Sequence, residues 1–144
     1  VKRILFSLAI SGLLAAPAYG SAGFSCQSEE ADSLKLEVGG ATPRSGSTLI
    51  NFGGTLELEG RKIELAKSDA KSFAWRRGGL RLLVRTQVDG QTYTLRVDAK
   101  SNPKDEDDWS GTYEWTVPGG KPDKSAKAKA KMSVKRGNVK CFVE

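Results

Sequence analysis

Four arginines supply the first chemistry that the sequence offers. Arg76, Arg81, Arg85 and Arg96 fall within residues 71–100, and each guanidinium presents a planar fork that matches the oxygens of a carboxylate, sulfate or phosphate. Whether they can act together depends on which way they point. The same stretch carries two tight-turn signals, Gly78-Gly79 and Asp89-Gly90, between runs that alternate apolar and polar residues. A turn at Asp89-Gly90 sets Thr86 opposite Tyr93, Val84 opposite Leu95 and Leu82 opposite Val97. A turn at Gly78-Gly79 sets Trp75 opposite Leu82 and Phe73 opposite Val84. Both turns select one inner face, and a one-residue slip in either would exchange the faces. The outer face then takes Arg76 opposite Arg81, Arg81 opposite Asp98, Leu83 beside Arg96, and Arg85 between Ser72 and Thr94. The expectation is an anion-binding platform of four arginines offset by one aspartate. A solvated face with a salt bridge or two is the plainer reading of the same residues.

Other chemistries find little support. The sequence contains no histidine, which removes the usual general base, the common metal ligand and the serine–histidine triads. A carboxylate pair is the remaining catalytic option. A turn at Gly60-Arg61 places Glu57 opposite Glu64, but on an outer face with Lys62 nearby rather than in a dry cleft. The acidic run Asp105-Glu106-Asp107-Asp108 fails as a calcium loop, since Trp109 and Ser110 occupy the fifth and sixth positions where an oxygen ligand and a glycine are wanted. It reads as part of a solvated loop, residues 101–108. No enzyme activity, metal or cofactor is expected.

The chain of 144 residues opens with Lys2-Arg3, an apolar run over residues 4–16, and Pro17-Ala18-Tyr19-Gly20. That order of positive, apolar and small-residue segments predicts a cleaved signal peptide over residues 1–20, with a second cleavage position after Ala22. The apolar run is shorter than the ~20 residues of a membrane span. A lipidated Cys26 is disfavoured, because Gly23-Phe24-Ser25 is a poor lipobox and Cys141 would be left alone. The expectation is therefore a single β domain over residues 21–144, exported to the periplasm or beyond the cell. In an oxidising compartment Cys26 and Cys141 pair, which obliges the first and last strands to lie side by side. The formal charge is +6, or +4 once Lys2 and Arg3 are removed. An anionic macromolecule or small ligand is the partner such a balance suggests. Nucleic acid and stable membrane insertion are not expected, and the protein reads as a monomer.

The remaining elements follow from period-two alternation. Residues 24–30 and 34–38 read as strands, the second ending at Gly39-Gly40. Residues 47–59 read as one strand bent at Gly53-Gly54, and Gly60-Arg61 turns it so that Leu58 meets Ile63 and Leu56 meets Leu65. Residues 111–117 place Tyr113, Trp115 and Val117 inward. Residues 126–135 alternate alanine with lysine, and a turn at Arg136-Gly137 would pair Val134 with Val139, Met132 with Cys141 and Ala130 with Val143. The lysines of that segment form an outer stripe that protects an edge or meets an anionic surface.

The fold class is all-β: an antiparallel up-and-down barrel or barrel-like sandwich of about 8–10 strands, without substantial helix in the mature chain. Phe73, Trp75, Tyr93, Tyr113 and Trp115 face inward. They fill the core or, as the alternative, line a cavity for a small apolar ligand in the manner of a lipocalin. Ser110-Gly111-Thr112-Tyr113 resembles the Ser-Gly…Tyr stretch of the small exported barrels that inhibit lysozyme (the MliC type), with a shorter spacing and without that family's lysine. The resemblance spans four residues and implies, as a further alternative, a periplasmic inhibitor of a cell-wall-degrading enzyme. The leading expectation is an exported, non-catalytic binding protein that contacts its anionic ligand or partner through the arginine face.

Overall fold

The computed structural model describes residues 21–29, 32–43, 48–76, 78–119 and 132–144. Among the described residues nine strands run β1 Ser21–Ser28, β2 Leu34–Pro43, β3 Asn51–Leu58, β4 Arg61–Ala66, β5 Ala70–Arg76, β6 Gly79–Val88, β7 Gln91–Asn102, β8 Asp105–Val117 and β9 Ser133–Val143, with a 3-10 turn at Lys67–Asp69. They form one nearly closed, barrel-like sheet in the order β4-β3-β2-β1-β9-β8-β7-β6-β5, every neighbour antiparallel.

The two ends of that order are consecutive in the chain. Eight antiparallel steps separate β4 from β5, so the two run in the same direction, joined only by the 3-10 turn. They act as one broken strand whose first half pairs with β3 and whose second half pairs with β6. The barrel is thus eight positions around. The break is fixed locally: the Ala66 N–H donates to the Asp69 carboxylate at 2.8 Å, and Lys71 Nζ donates to the Ser68 carbonyl at 2.8 Å. An Arg61–Asp89 ion pair ties the start of β4 to the β6–β7 turn on the other side of the seam.

Period-two alternation decides what lies inside. Phe24, Cys26, Leu34, Leu36, Val38, Leu56, Leu80, Leu82, Val84, Leu95, Val97, Trp109 and Val139 are buried, as are Phe73, Tyr93, Tyr113 and Trp115, while Trp75 is half-buried. The rings pack on one another. Phe24 stacks on Phe73 at 5.0 Å, Phe73 meets Trp75 edge-on at 6.5 Å, Trp75 meets Trp109 edge-on at 6.0 Å, and Tyr93 stacks on Trp115 at 5.3 Å. Such pairs add about 0.5–1.5 kcal/mol each beyond the area they bury.

The β6–β7 hairpin has the register expected from Asp89-Gly90, with Thr86 opposite Tyr93 and Leu82 opposite Val97. Both turn residues have positive φ, 52° and 77°, the geometry that matches hairpin twist. Two other hairpins are displaced by two residues. The β3–β4 turn lies at Glu59-Gly60 rather than Gly60-Arg61, pairing Leu56 with Ile63, Gly54 with Leu65, and Leu58 with Arg61. In the β5–β6 hairpin Arg76 pairs with Gly79, so Trp75 faces Leu80 and Phe73 faces Leu82. Neither displacement changes a face. Glu57 consequently lies opposite Lys62 and Lys35, and Glu64 opposite Thr55, so no carboxylate pair forms between them.

Three larger departures remain, two of them at glycines. β2 does not stop at Gly39-Gly40 but runs on to Pro43, because those glycines oppose Gly53 and Phe52 in a closely coiled part of the sheet. The acidic residues 105–108 form the start of β8 rather than a loop, with the Trp109 indole donating to the Glu106 carbonyl at 2.8 Å. Arg136-Gly137 makes no turn. β9 passes through it without interruption, pairing Arg136 with Glu114 and Gly137 with Tyr113. Gly137 is small because a Cβ there would come within 2.5 Å of the Tyr113 hydroxyl. Without the turn, Val134 lies on the outer side of β9, 39% exposed and opposite Thr116, and Met132 is 65% exposed. The alanine–lysine segment over residues 126–131 and the signal-peptide segment over residues 1–20 lie outside the described residues.

Cys26 and Cys141 sit directly opposite on β1 and β9 and form a disulfide, both fully buried, with Cα atoms 4.0 Å apart. The bond joins the terminal strands at the middle of the ring. Among the described residues no helix is long and apolar enough to cross a membrane, and this feature and the disulfide are both compatible with an exported protein.

Adjacent glycines in β3 provide a test of the packing. A Cβ on Gly54 would overlap the Glu37 carbonyl oxygen and come within 2.7 Å of the Val38 Cα, whereas one on Gly53 meets only the Leu65 carbonyl at 3.7 Å. Gly54→Ala should cost about 1–3 kcal/mol, as overpacking against backbone does, and Gly53→Ala should stay within about 0.5 kcal/mol of the parent. Urea unfolding followed by tryptophan fluorescence measures both, and equal effects would refute the register of β2 on β3.

Candidate anion-binding face

Strand register arranges the outward residues of β5–β9 into rows that cross the sheet. One row reads Arg76, Gly79, Lys100, Ser110, Lys140. The next reads Ala74, Arg81, Asp98, Thr112, Asn138, and a third reads Ser72, Leu83, Arg96, Glu114, Arg136. Arg85 begins the adjoining run with Thr94, Thr116 and Val134. All four arginines expected on this face are exposed and lie on its outer side. Arg81 faces Asp98, Leu83 faces Arg96 and Arg85 faces Thr94, as the alternation requires. Two contacts differ because of the displaced β5–β6 turn: Arg76 is opposite Gly79 instead of Arg81, and Ser72 is opposite Leu83 instead of Arg85. The expected clash of two arginines across a strand pair is therefore absent.

Charges on the face are compensated unevenly. Arg81 Nε meets the Asp98 carboxylate at 3.1 Å, and Arg136 Nε donates to Glu114 Oε2 at 2.9 Å. Arg76, Arg85, Arg96, Lys100 and Lys140 form no ion pair among the described residues. Beyond the first row, toward the β7–β8 turn, Asp108 lies beside Asn102, whose side-chain amide is 3.5 Å from it. That carboxylate bounds the basic area.

The surface is grooved rather than flat. One groove of about 920 Å³ is lined by Ala74, Arg76, Gly78, Gly79, Leu80, Arg81, Asp98, Ala99, Lys100, Ser110, Gly111 and Thr112. Small, apolar and hydroxyl residues in its lining stand beside three cations and one carboxylate, Asp98. A second groove of about 370 Å³ includes Ser72, Arg81, Leu83, Arg96 and Asp98, and a third of about 440 Å³ includes Arg96, Asp98, Thr112, Glu114, Arg136 and Asn138. Asp98 borders all three, so they adjoin one another. Arg85 lines none of these three.

Lys100, Arg136 and Lys140 belong to this face and were not singled out by sequence. Lys100 carries a readable signal, since it continues the outward alternation of Arg96 and Asp98 along β7. Arg136 and Lys140 were obscured by the turn expected at Gly137. Among the described residues, no group of three histidines, cysteines or carboxylates is placed to hold a metal ion.

Tyr113 sits beneath the third groove with its ring inside the barrel. Its hydroxyl donates to Asp32 Oδ2 at 3.1 Å and thereby ties β8 to the turn between β1 and β2. Burial, followed by the hydrogen bond to Asp32 and that carboxylate's charge, pushes the phenol up to about 12 from its ordinary value near 10. It stays a neutral donor throughout the neutral range.

Compared with known proteins, the sequence matches no family, no curated protein and no solved structure. The arrangement of the face itself is what bears on function.

The Tyr113 environment makes a measurable demand on stability. The unfolded phenol loses its proton near pH 10 and the folded one near pH 12. Its contribution is therefore whole below pH 10 and is lost as pH rises through 12, by about 2–3 kcal/mol. Denaturant unfolding of the parent and of Tyr113→Phe from pH 9 to 12 isolates this effect. The parent should fall toward the variant over that range, and parallel profiles would show that the phenol is not held neutral.

Proposed function

We propose that this is an exported, non-catalytic binding protein, delivered by a leader over residues 1–20, that holds an anionic ligand or partner on the outer face of β5–β9. The observation that carries this reading is the groove whose lining brings Ala74, Gly78, Gly79, Ser110 and Thr112 together with Arg76, Arg81 and Lys100, with Asp98 as its one carboxylate. Small residues let a ligand approach the backbone, and the surrounding cations supply charge. Guanidinium forks add directional hydrogen bonds to planar or tetrahedral oxyanions. Exposed contacts of this kind are individually weak, so a useful affinity requires several to act at once, which the adjacency of the three grooves around Asp98 favours.

The absence of histidine from the sequence and the commitment of both cysteines to a disulfide support a binding rather than a catalytic role. The stacked packing of Phe24 on Phe73 and Tyr93 on Trp115 favours the outer face over the interior as the site.

Substituting Arg76, Arg81, Arg85 and Arg96 together by glutamine tests the proposal on an array of anionic glycans and lipids. All four side chains are exposed, so the fold should survive, and circular dichroism checks that it does. Binding of the parent should weaken steeply between 50 and 500 mM salt, conditions under which the screening length shortens to a few ångströms, and the quadruple variant should lose at least about tenfold in affinity. Unchanged binding by the variant would remove the face as the site.

A further inference from the structure

The first row of the basic face carries three cations on alternate strands with no carboxylate between them, an arrangement that the other rows lack. Arg76, Lys100 and Lys140 stand on β5, β7 and β9, with Gly79 and Ser110 on the strands between them. Strands lie about 4.8 Å apart, so successive cations are separated by about 10 Å along a line across the sheet. None of the three is paired with a carboxylate among the described residues. In the two rows beside it, by contrast, Asp98 holds Arg81 and Glu114 holds Arg136. The small residues between the cations leave the line open, and its β5–β8 part lines the groove of about 920 Å³.

We infer that this row binds a linear polysaccharide carrying one carboxylate or sulfate per disaccharide, laid across the strands with one acidic group on each cation. The inference rests on the proposed role of the face and names the ligand class that fits it. Two strands span about 10 Å, which is the repeat of a disaccharide in an extended polysaccharide chain. A polyanion with a charge on every unit would place alternate charges over Gly79 and Ser110, where no cation waits. Gly79 and Ser110 instead suit the uncharged sugar of each repeat, offering an open backbone and a hydroxyl that both donates and accepts. Asp108, beyond the row on β8, repels an acidic chain that strays toward the β7–β8 turn.

Even-numbered hyaluronan oligosaccharides, from the disaccharide to the decasaccharide, provide the test by isothermal titration at fixed ionic strength. Affinity should climb with each added disaccharide up to the hexasaccharide, which meets all three cations, and then level off. Lys140→Gln should move the plateau to the tetrasaccharide. Lys100→Gln should lower hexasaccharide affinity about two- to fivefold, as the loss of one exposed ionic contact does. Both lysines are exposed and unpaired among the described residues, so neither variant endangers folding. Polygalacturonate and polyphosphate of matched total charge serve as comparators and should bind less tightly. Affinity that follows total charge whatever the spacing would overturn the inference, as would a length dependence that both lysine variants leave unchanged. Should the quadruple arginine variant lose binding while the lysine variants keep it, the face would stand as the site and this row assignment would fall. Absence of hyaluronan binding, with another anion bound on the array, would exclude the polysaccharide class alone.

Discussion

The width of the barrel governs what the rest of the molecule can do. Because β4 and β5 run in the same direction and share one position through the 3-10 turn, the ring is eight strands around although nine strands are counted. A ring of that size has an interior that side chains can just fill. Here Phe24 of β1 reaches across to stack on Phe73 of β5, and the row of rings continues through Trp75 to Trp109. The aromatic residues are thereby used in closing the structure. Closure also removes most of the sheet edge, leaving the break beside Lys67–Asp69 as the one place among the described residues where pairing changes partner. Asp69 and Lys71 hold that place with local hydrogen bonds.

A second consequence concerns the outside. Closing an eight-position ring demands strongly coiled strands, and several crowded points can be occupied only by glycine. Gly111 is the clearest: a Cβ there would overlap the Asp98 carbonyl oxygen and come within 2.6 Å of the Ala99 Cα. The same glycine lines the outer groove of about 920 Å³ together with Gly78, Gly79 and Ser110. Of these glycines it is Gly111 that packing requires, since a Cβ on Gly79 would meet nothing within 4 Å. The cations Arg76, Arg81 and Lys100 give that groove its chemical character.

Much of this was readable in the residue pattern, and the failures have a common cause. Alternation reports parity: it tells which side of a sheet a residue faces, and the test is sensitive to a slip of one. It cannot detect a slip of two. The β3–β4 and β5–β6 hairpins were both displaced by two residues, and in both the faces came out right while the partners did not. Phe73, Tyr93, Tyr113 and Trp115 are inside and the four arginines outside for that reason. At Gly137 the difficulty was of another kind. A glycine needed so that the Tyr113 ring can lie over it looks the same in sequence as a glycine needed for a turn. Reading it as a turn reversed the parity of Met132 and Val134 and hid Arg136 from the face it belongs to. That the chain runs through Gly53-Gly54 without a turn was legible, although the strand is Asn51–Leu58 rather than 47–59, because a turn there would have mixed apolar and polar partners, a check that Gly137 happened to pass.

Charge placement on β5–β9 is not what stability alone would favour. Where carboxylates are present, they neutralise Arg81 and Arg136 through contacts of about 3 Å, the sort of pairing that a stable surface tolerates at little gain or loss. The row of Arg76, Lys100 and Lys140 lacks such neutralisation although Ser110 and Gly79 occupy positions that could have carried it. Cations about 10 Å apart on an exposed surface repel one another weakly, since the screening length at physiological ionic strength is about 8 Å. The fold therefore does not oppose the row, but it gains nothing from it either. An acidic residue at either intervening position would add a cross-strand pair worth a few tenths of a kcal/mol and would close the line to an anion. The row leaves that stabilisation unused and keeps the line open, which is the arrangement expected where the missing negative charge is brought by something that binds.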